Sequence, residues 1–268
     1  MRSGRVFWAV VLIILGFLFL ISNLGILDIN AWRLFWPAVL VLLGIWFLIG
    51  STTGASELAV EDGSEALGEA ESAVITVKHG AGRLSLSGGA PADQLVSGSF
   101  AGGLDAQVKL EGSRKIVILQ PESRAFPEVF FPGNWISRGG LSWDFSLTGK
   151  IPLDLVFETG AGESSLDLTD ILVKNLTIKT GASSTAVKLP AAAGATYFKV
   201  EAGAASMDIM VPAGVEARIE SEAGLASVSV DQSRFPKQNG FYQSAGYESA
   251  VNKVDIRIET GMASIEIH

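Results

Sequence analysis

Two histidines, His79 and His268, are the only imidazoles in this chain, and it contains no cysteine. Thiol catalysis, disulfides and cysteine-built zinc sites are excluded together. A two-histidine metal centre or a Ser-His-Asp relay would have to join two positions far apart in sequence, with no local support. Glu163, Asp167 and Asp170 come nearest to a carboxylate cluster. They alternate with apolar residues and read as outward strand and turn positions, whereas paired-carboxylate chemistry needs two groups facing one cleft at a defined separation. Gly160-Ala161-Gly162 has neither the lysine nor the following helix of a phosphate loop. The residues point to no enzyme, no metal and no cofactor, and leave binding as the expected activity.

The glycines belong to a repeated phrase: an apolar run, a Glu or Lys, one small residue, a Gly, then small residues and another alternating run. It occurs as Phe157-Glu158-Thr159-Gly160-Ala161, Ile178-Lys179-Thr180-Gly181-Ala182, Val200-Glu201-Ala202-Gly203-Ala204, Ser221-Glu222-Ala223-Gly224-Leu225 and Ile258-Glu259-Thr260-Gly261-Met262, with an earlier copy at Val77-Lys78-His79-Gly80-Ala81. The central copies are spaced by roughly 21 residues, a period characteristic of solenoids. The alternation of apolar and polar residues on either side predicts half-buried strands. The expected fold is an all-β domain, a β-solenoid or single-stranded β-helix-like stack with roughly 21-residue coils. Gly80, Gly160, Gly181, Gly203, Gly224 and Gly261 would be its repeat corners, where glycine permits a positive φ and a thin chain lets the next coil stack. Pro190 with Gly194, and Pro212 with Gly214, mark a second corner. The Glu or Lys before each glycine would form a ladder, read as a solvated row that discourages aggregation.

A second repeat lies at the N-terminus. Residues 7–21 and 35–49 align without gaps and contain no charge. With their flanks, each approaches the roughly 20 apolar residues that cross a bilayer as a helix. A cleaved signal peptide is the alternative for the first run, but no clean small-residue cleavage site follows it and the second copy has no role there. A retained transmembrane α-helical hairpin over residues 1–50 is the reading adopted. Gly16 and Gly44 fall at matching positions, where they would let the helices approach closely or would simply be tolerated. Arg2 and Arg5 precede the first run and Arg33 lies in the turn, which places the β domain on the cytoplasmic side if both helices span and outside if the first does not.

Residues 51–72 are acidic and rich in Ala, Gly and Ser, and read as a flexible tether or a short helix. The β domain would then occupy residues 73–268. Two aromatic insertions interrupt its period, near residues 122–145 and 231–250. Phe130, Phe131 and Trp135 in the first, and Phe241 and Tyr242 in the second, are candidates for a partner surface, with capping of the core as the competing reading. A formal net charge of -8 without a basic stripe argues against nucleic acid.

The hairpin, from Phe7-Trp8 and Leu15-Gly16 through Asn23-Leu24-Gly25 to Leu34-Phe35-Trp36-Pro37 and Leu43-Gly44, resembles the LiaI/LiaF-like transmembrane region. The Gly-Ala-Gly phrase beyond it resembles the toast-rack domain of cell wall-active antibiotic response proteins. The resemblance implies a bacterial membrane protein of envelope-stress signalling, whose LiaF-type members restrain a sensor histidine kinase. The partners expected are thus the bilayer and a histidine kinase or other membrane protein, with self-association through the open ends also possible. The alternatives are an adhesin-like surface scaffold and, more remotely, a carbohydrate-active β-helix.

Overall fold

The computed structural model describes residues 40–41, 59–122, 141–223 and 226–268. The chain divides into two compact units, one of Met1–Ser56 with Phe130–Arg138 and one of Glu57–Val129 with Gly139–His268. Apart from Leu40 and Val41, which are helical, the described residues belong to the second unit, and it is all-β. No described helix is long and apolar enough to cross a membrane, and the two apolar runs with Gly16 and Gly44 lie outside the described residues.

Five long strands carry the repeated phrase: β2 (Ser72–Gly88), β7 (Leu153–Asp167), β8 (Val173–Lys188), β9 (Ala195–Met210) and β14 (Lys253–Ile267). They pair in parallel in the order β2-β7-β8-β9-β14. Within each, the inward residues change parity at the glycine. Val77 is buried before Gly80 and Leu84 after it, Phe157 before Gly160 and Leu166 after it, and Val200 before Gly203 and Met207 after it. In a strand side chains alternate with period two, so a parity change that keeps both halves on one core requires the chain to turn over at the glycine. Each long strand is therefore two half-strands wrapped on a single apolar cluster, which contains Phe157, Leu166, Phe198 and Ile265 together.

The sheet is continuous but turns over at the glycines, so that the first halves form one layer, the first-half sheet, and the second halves another, the second-half sheet. At the stack's first end, β5 (Arg114–Gln120) extends the first-half sheet by pairing parallel with β2, and β4 (Asp105–Glu111) pairs antiparallel with β5. The second-half sheet continues through β6 (Ser142–Leu147), β3 (Gln94–Ala101) and β1 (Val60–Ala66). At the last end, β10 (Glu216–Ala223) and β11 (Ser227–Val230) both pair with β14. The small strands β12 (Lys237–Gln238) and β13 (Phe241–Gln243) close over β10.

Three expectations change here. The copies do not stack in chain order: the last copy, on β14, lies between β9 and β10, because the chain leaves β11 and returns to insert beside Val200. The long gap between the last two copies holds the cap and the return path. Second, part of the expected tether, Val60–Ala66, is an edge strand. Glu61, Asp62 and Glu65 hide it from a periodicity search, because an edge strand gains its place through backbone pairing to β3 rather than through apolar side chains. Third, Trp143 and Phe145, assigned to the first insertion, are core residues of β6.

Candidate interaction surfaces

The glycines of the phrase stand in one row. Ala81 pairs with Ala161 and Ala161 with Ala182, while Thr180 pairs with Ala202 and Ala202 with Thr260, which sets Gly80, Gly160, Gly181, Gly203 and Gly261 in line. Gly224 lies outside the described residues. None of the five aligned glycines has a positive φ, so of the two demands expected to call for glycine there, positive φ or close stacking, the first does not apply. Four of them lie close to the preceding glycine's backbone, whereas a Cβ on Gly80, the first of the row, would meet nothing within 4 Å. A Cβ on Gly160 would lie 2.3 Å from the Gly80 carbonyl oxygen, one on Gly181 2.7 Å from that of Gly160, one on Gly203 3.0 Å from that of Gly181, and one on Gly261 3.4 Å from that of Gly203. Positive φ is needed two residues on, at Gly82 (136°) and Gly162 (139°). It also occurs at the second corner, at Gly194 (77°) and Gly214 (84°).

Beside the glycines runs a row of small polar side chains, in which the Thr159 hydroxyl donates to Thr180 at 3.0 Å and Thr180 donates to Ser183 at 2.7 Å. His79 takes the equivalent place on β2. It is only 3% exposed and meets the edge of Trp143 at 5.3 Å between ring centroids. Burial pulls its pKa down to about 4, against a hydrogen bond with the Leu141 backbone that works the other way. Its Nε2 has no partner among the described residues. Trp143 in turn donates to the Ala101 carbonyl at 3.3 Å and stands edge-on to Phe100.

The outer face of the first-half sheet is ionic. The row before the glycines reads Lys78, Glu158, Lys179, Glu201, Glu259, Glu222 across the stack. Its acidic end is neutralised from the neighbouring row. Lys199 Nζ reaches Glu201 at 2.8 Å and Glu259 at 3.1 Å, and Arg257 reaches Glu222 at 3.1 Å and Glu259 at 3.2 Å. Hydrogen bonds to Lys199 hold the Glu201 carboxyl below the usual range.

The outer face of the second-half sheet is ionic where β2, β7 and β8 meet, through Arg83 with Glu163 and Lys188 with Asp167, and is lined by serine where it continues across β6, β3 and β1. Asp62, Ser99, Asp144 and Ser85 form one row across β1, β3, β6 and β2, and Ser64, Ser97, Ser146 and Ser87 form the next. All of these but Ser85 border, together with Gln94, an open groove of about 590 Å³. Two strand spacings place Asp62 and Asp144 about 10 Å apart. Neither carboxylate has an ion-pair partner among the described residues, so the groove is a hydroxyl-rich surface with two free negative charges. It can accept hydrogen bonds from, and attract, a polar and cationic partner. These residues escaped the sequence reading; the local signals were the Ser-x-Ser alternations of Ser85-Leu86-Ser87 and Ser97-Gly98-Ser99 and the Ser-x-Asp-x-Ser of Ser142 to Ser146.

The carboxylates considered for chemistry are dispersed. Glu163 pairs with Arg83 at 3.2 Å, and Asp167 accepts from Thr169 and Lys188. Of the candidate partner aromatics, Phe130, Phe131 and Trp135 lie outside the described residues. Phe241 and Tyr242 are half-buried in the end cap. Arg218 lies over the Phe241 ring at 4.8 Å and Lys237 over Tyr242 at 5.4 Å, while the cap residues Phe235 and Tyr247 are buried. The two rings are thus largely committed to closing the stack, each keeping a partly exposed side.

Residues 50–210 match the family described as the N-terminal domain of toast_rack, DUF2154, and residues 6–48 match the LiaI-LiaF-like transmembrane region. No curated protein gives a significant match. Among solved structures, a "putative cell adhesion protein" from Clostridium sporogenes ATCC 15579 is similar at 20% identity with a TM-score of 0.68, covering 78% of this chain and 98% of that one. At that identity the likeness is one of fold. A "putative adhesin" from Bacteroides fragilis NCTC 9343 aligns at 7% identity with a TM-score of 0.29, over 80% of this chain and 98% of that one. Bent parallel strands on one core, following a transmembrane region, define a membrane-associated toast-rack protein. The chain belongs to the toast-rack family and is LiaF-like.

Proposed function

We propose that this protein is a non-catalytic, membrane-anchored binding module that serves as an accessory or regulator of envelope-stress signalling. It acts by holding a membrane protein such as a sensor histidine kinase. In this reading the N-terminal region spans the membrane twice and the β unit is cytoplasmic.

The supporting observation is the position of the serine-lined groove. Its outer strand, β1, starts at Val60, a short distance beyond the transmembrane match that ends at residue 48. The residues from 48 to Asp62 reach at most about 50 Å when fully extended. A groove carrying Asp62 and Asp144, so close in sequence to the transmembrane match, is suited to the basic juxtamembrane or linker segment of a membrane partner. Attraction between unpaired carboxylates and a basic segment steers encounter and fixes orientation more than it adds affinity.

Reversing both charges, Asp62→Arg with Asp144→Arg, is the direct test, since both side chains are exposed and the fold should tolerate the change. Recovery of the co-expressed kinase with the detergent-solubilised protein should fall several-fold. Undiminished recovery, with the variant folded, would refute the groove as the docking site. A reporter fused after His268 that is active only outside the cell would refute the cytoplasmic placement and favour a surface scaffold.

A further inference from the structure

We infer that two copies of this chain associate through β4, pairing edge to edge and antiparallel about a two-fold axis at Gln107. Among the described strands β4 pairs with β5 alone, leaving the hydrogen-bonding groups of its other edge without a strand. Ala106, Val108 and Leu110 lie opposite Leu119, Val117 and Lys115 of β5. Opposed side chains in an antiparallel pair share a face, and Val117 and Leu119 are fully buried in the core. Val108 and Leu110 therefore stand on the core side of the sheet, yet are 44% and 65% exposed. The apolar layer runs past its cover. An open edge with an uncovered apolar face is the arrangement natural sheets avoid unless something pairs there.

The occupant follows from complementarity. Within one copy Lys109 pairs with Glu111 of its own strand at 2.5 Å and Asp105 accepts from Gln120 at 2.7 Å, contacts that can be shared or exchanged. About an axis at Gln107, Asp105 of each copy faces Lys109 of the other, Ala106 faces Val108, and Leu104 faces Leu110. Every opposed pair then matches in character. Moving the axis to Val108 would oppose Asp105 with Glu111, and moving it to Lys109 would oppose two lysines; like charges directly opposite are destabilising. A one-residue slip would set apolar against polar side chains. The other edges fit a second copy less well. On β1, Glu61, Asp62 and Glu65 would be doubled by self-pairing, with no cation on the strand to oppose them. β11 has only four residues, Ser227–Val230. A self-pairing contact is isologous and closes at two copies. It is independent of the groove on the second-half sheet.

The absence of cysteine permits a clean experiment on the full chain in its membrane. With Gln107→Cys, the new thiols of two copies would face each other, and a short bismaleimide should give a strong dimer band. Ser229→Cys, on exposed β11, should not. Adding Lys109→Asp to the Gln107→Cys chain places acid against acid at both ends of the pairing and should cut the dimer band about fivefold. Adding Asp105→Lys as well restores opposite charges and should recover it, which a general loss of folding would not allow. Cross-linking at 107 no stronger than at 229, or a charge swap that fails to restore it, would overturn the inference.

Discussion

The two ends of the stack are closed by different means although the same phrase runs between them. At the first end, on the second-half side where β2 meets β6, the core is sealed by apolar and aromatic packing: Trp143 sits among Phe100, Phe145 and His79, and the Gly160 backbone stands closest to its neighbour, Gly80. At the last end, beyond β14, cations cover aromatic rings in a half-exposed cap, and the glycine row has opened to ordinary contact distance. A repeat that looks uniform in sequence thus has a rigid end and a tolerant end. The unit of meaning is not the glycine but the distance to the carbonyl it faces.

Trp143→Ala should show the largest difference. Trp143 is fully buried, and removing a buried large aromatic costs about 4 kcal/mol. Phe241→Ala at the other end removes a half-buried ring and should cost about 1 kcal/mol. Urea unfolding of the full chain in detergent, followed by its β-sheet dichroism, would measure both. Equal losses would remove the contrast between the ends.

Gly160→Ala comes next. Its new methyl would sit 2.3 Å from a backbone oxygen that belongs to a paired strand, so neither partner can swing away. Relief has to come from separating β2 and β7, an overpacking cost of about 3 kcal/mol. The same unfolding experiment would detect it.

A pH effect of similar size belongs to the first end alone. His79 has a folded pKa of about 4, below its unfolded value of 6.5, so the unfolded chain binds the proton more readily. Stability should be complete above about pH 6.5 and fall as pH drops to about 4, by up to about 3 kcal/mol. Below that both states are protonated and this contribution changes no further. His79→Leu should flatten the slope in that window. A slope that persists unchanged would mean that the imidazole is not the group responsible.

Much of this fold could be read from sequence. Alternation around Phe157, Ile178 and Val200 was strong because those half-strands are polar on one face and buried on the other. What could not be read was decided by distant chain. Nothing local in Val254-Asp255-Ile256 says that β14 will insert between β9 and β10. Trp143-Asp144-Phe145-Ser146-Leu147 alternates as clearly as any repeat strand, but its aromatic neighbours drew it into an insertion. The serine groove was silent for a different reason. Its rows assemble from β1, β3, β6 and β2, and a serine on any one strand is an ordinary outward residue. The charged ladder was legible because every copy of the phrase carries its own member.

Gly261→Ala should have the smallest effect and tests the contrast most sharply. The added methyl would lie 3.4 Å from the Gly203 carbonyl oxygen, at the edge of ordinary van der Waals contact. Gly261 has no positive φ to lose, so no backbone strain is added. Against the small steric cost stands the gain from replacing glycine with alanine at a compatible position, which restricts the unfolded chain and stabilises by about half a kcal/mol. The two nearly cancel, and the midpoint of unfolding should scarcely move. Gly203→Ala, at 3.0 Å, should fall between this result and Gly160→Ala. A series in which all three substitutions cost the same would show that the glycines are required as a class, through some shared conformational demand. A graded series would show that each is required only as closely as its neighbour approaches.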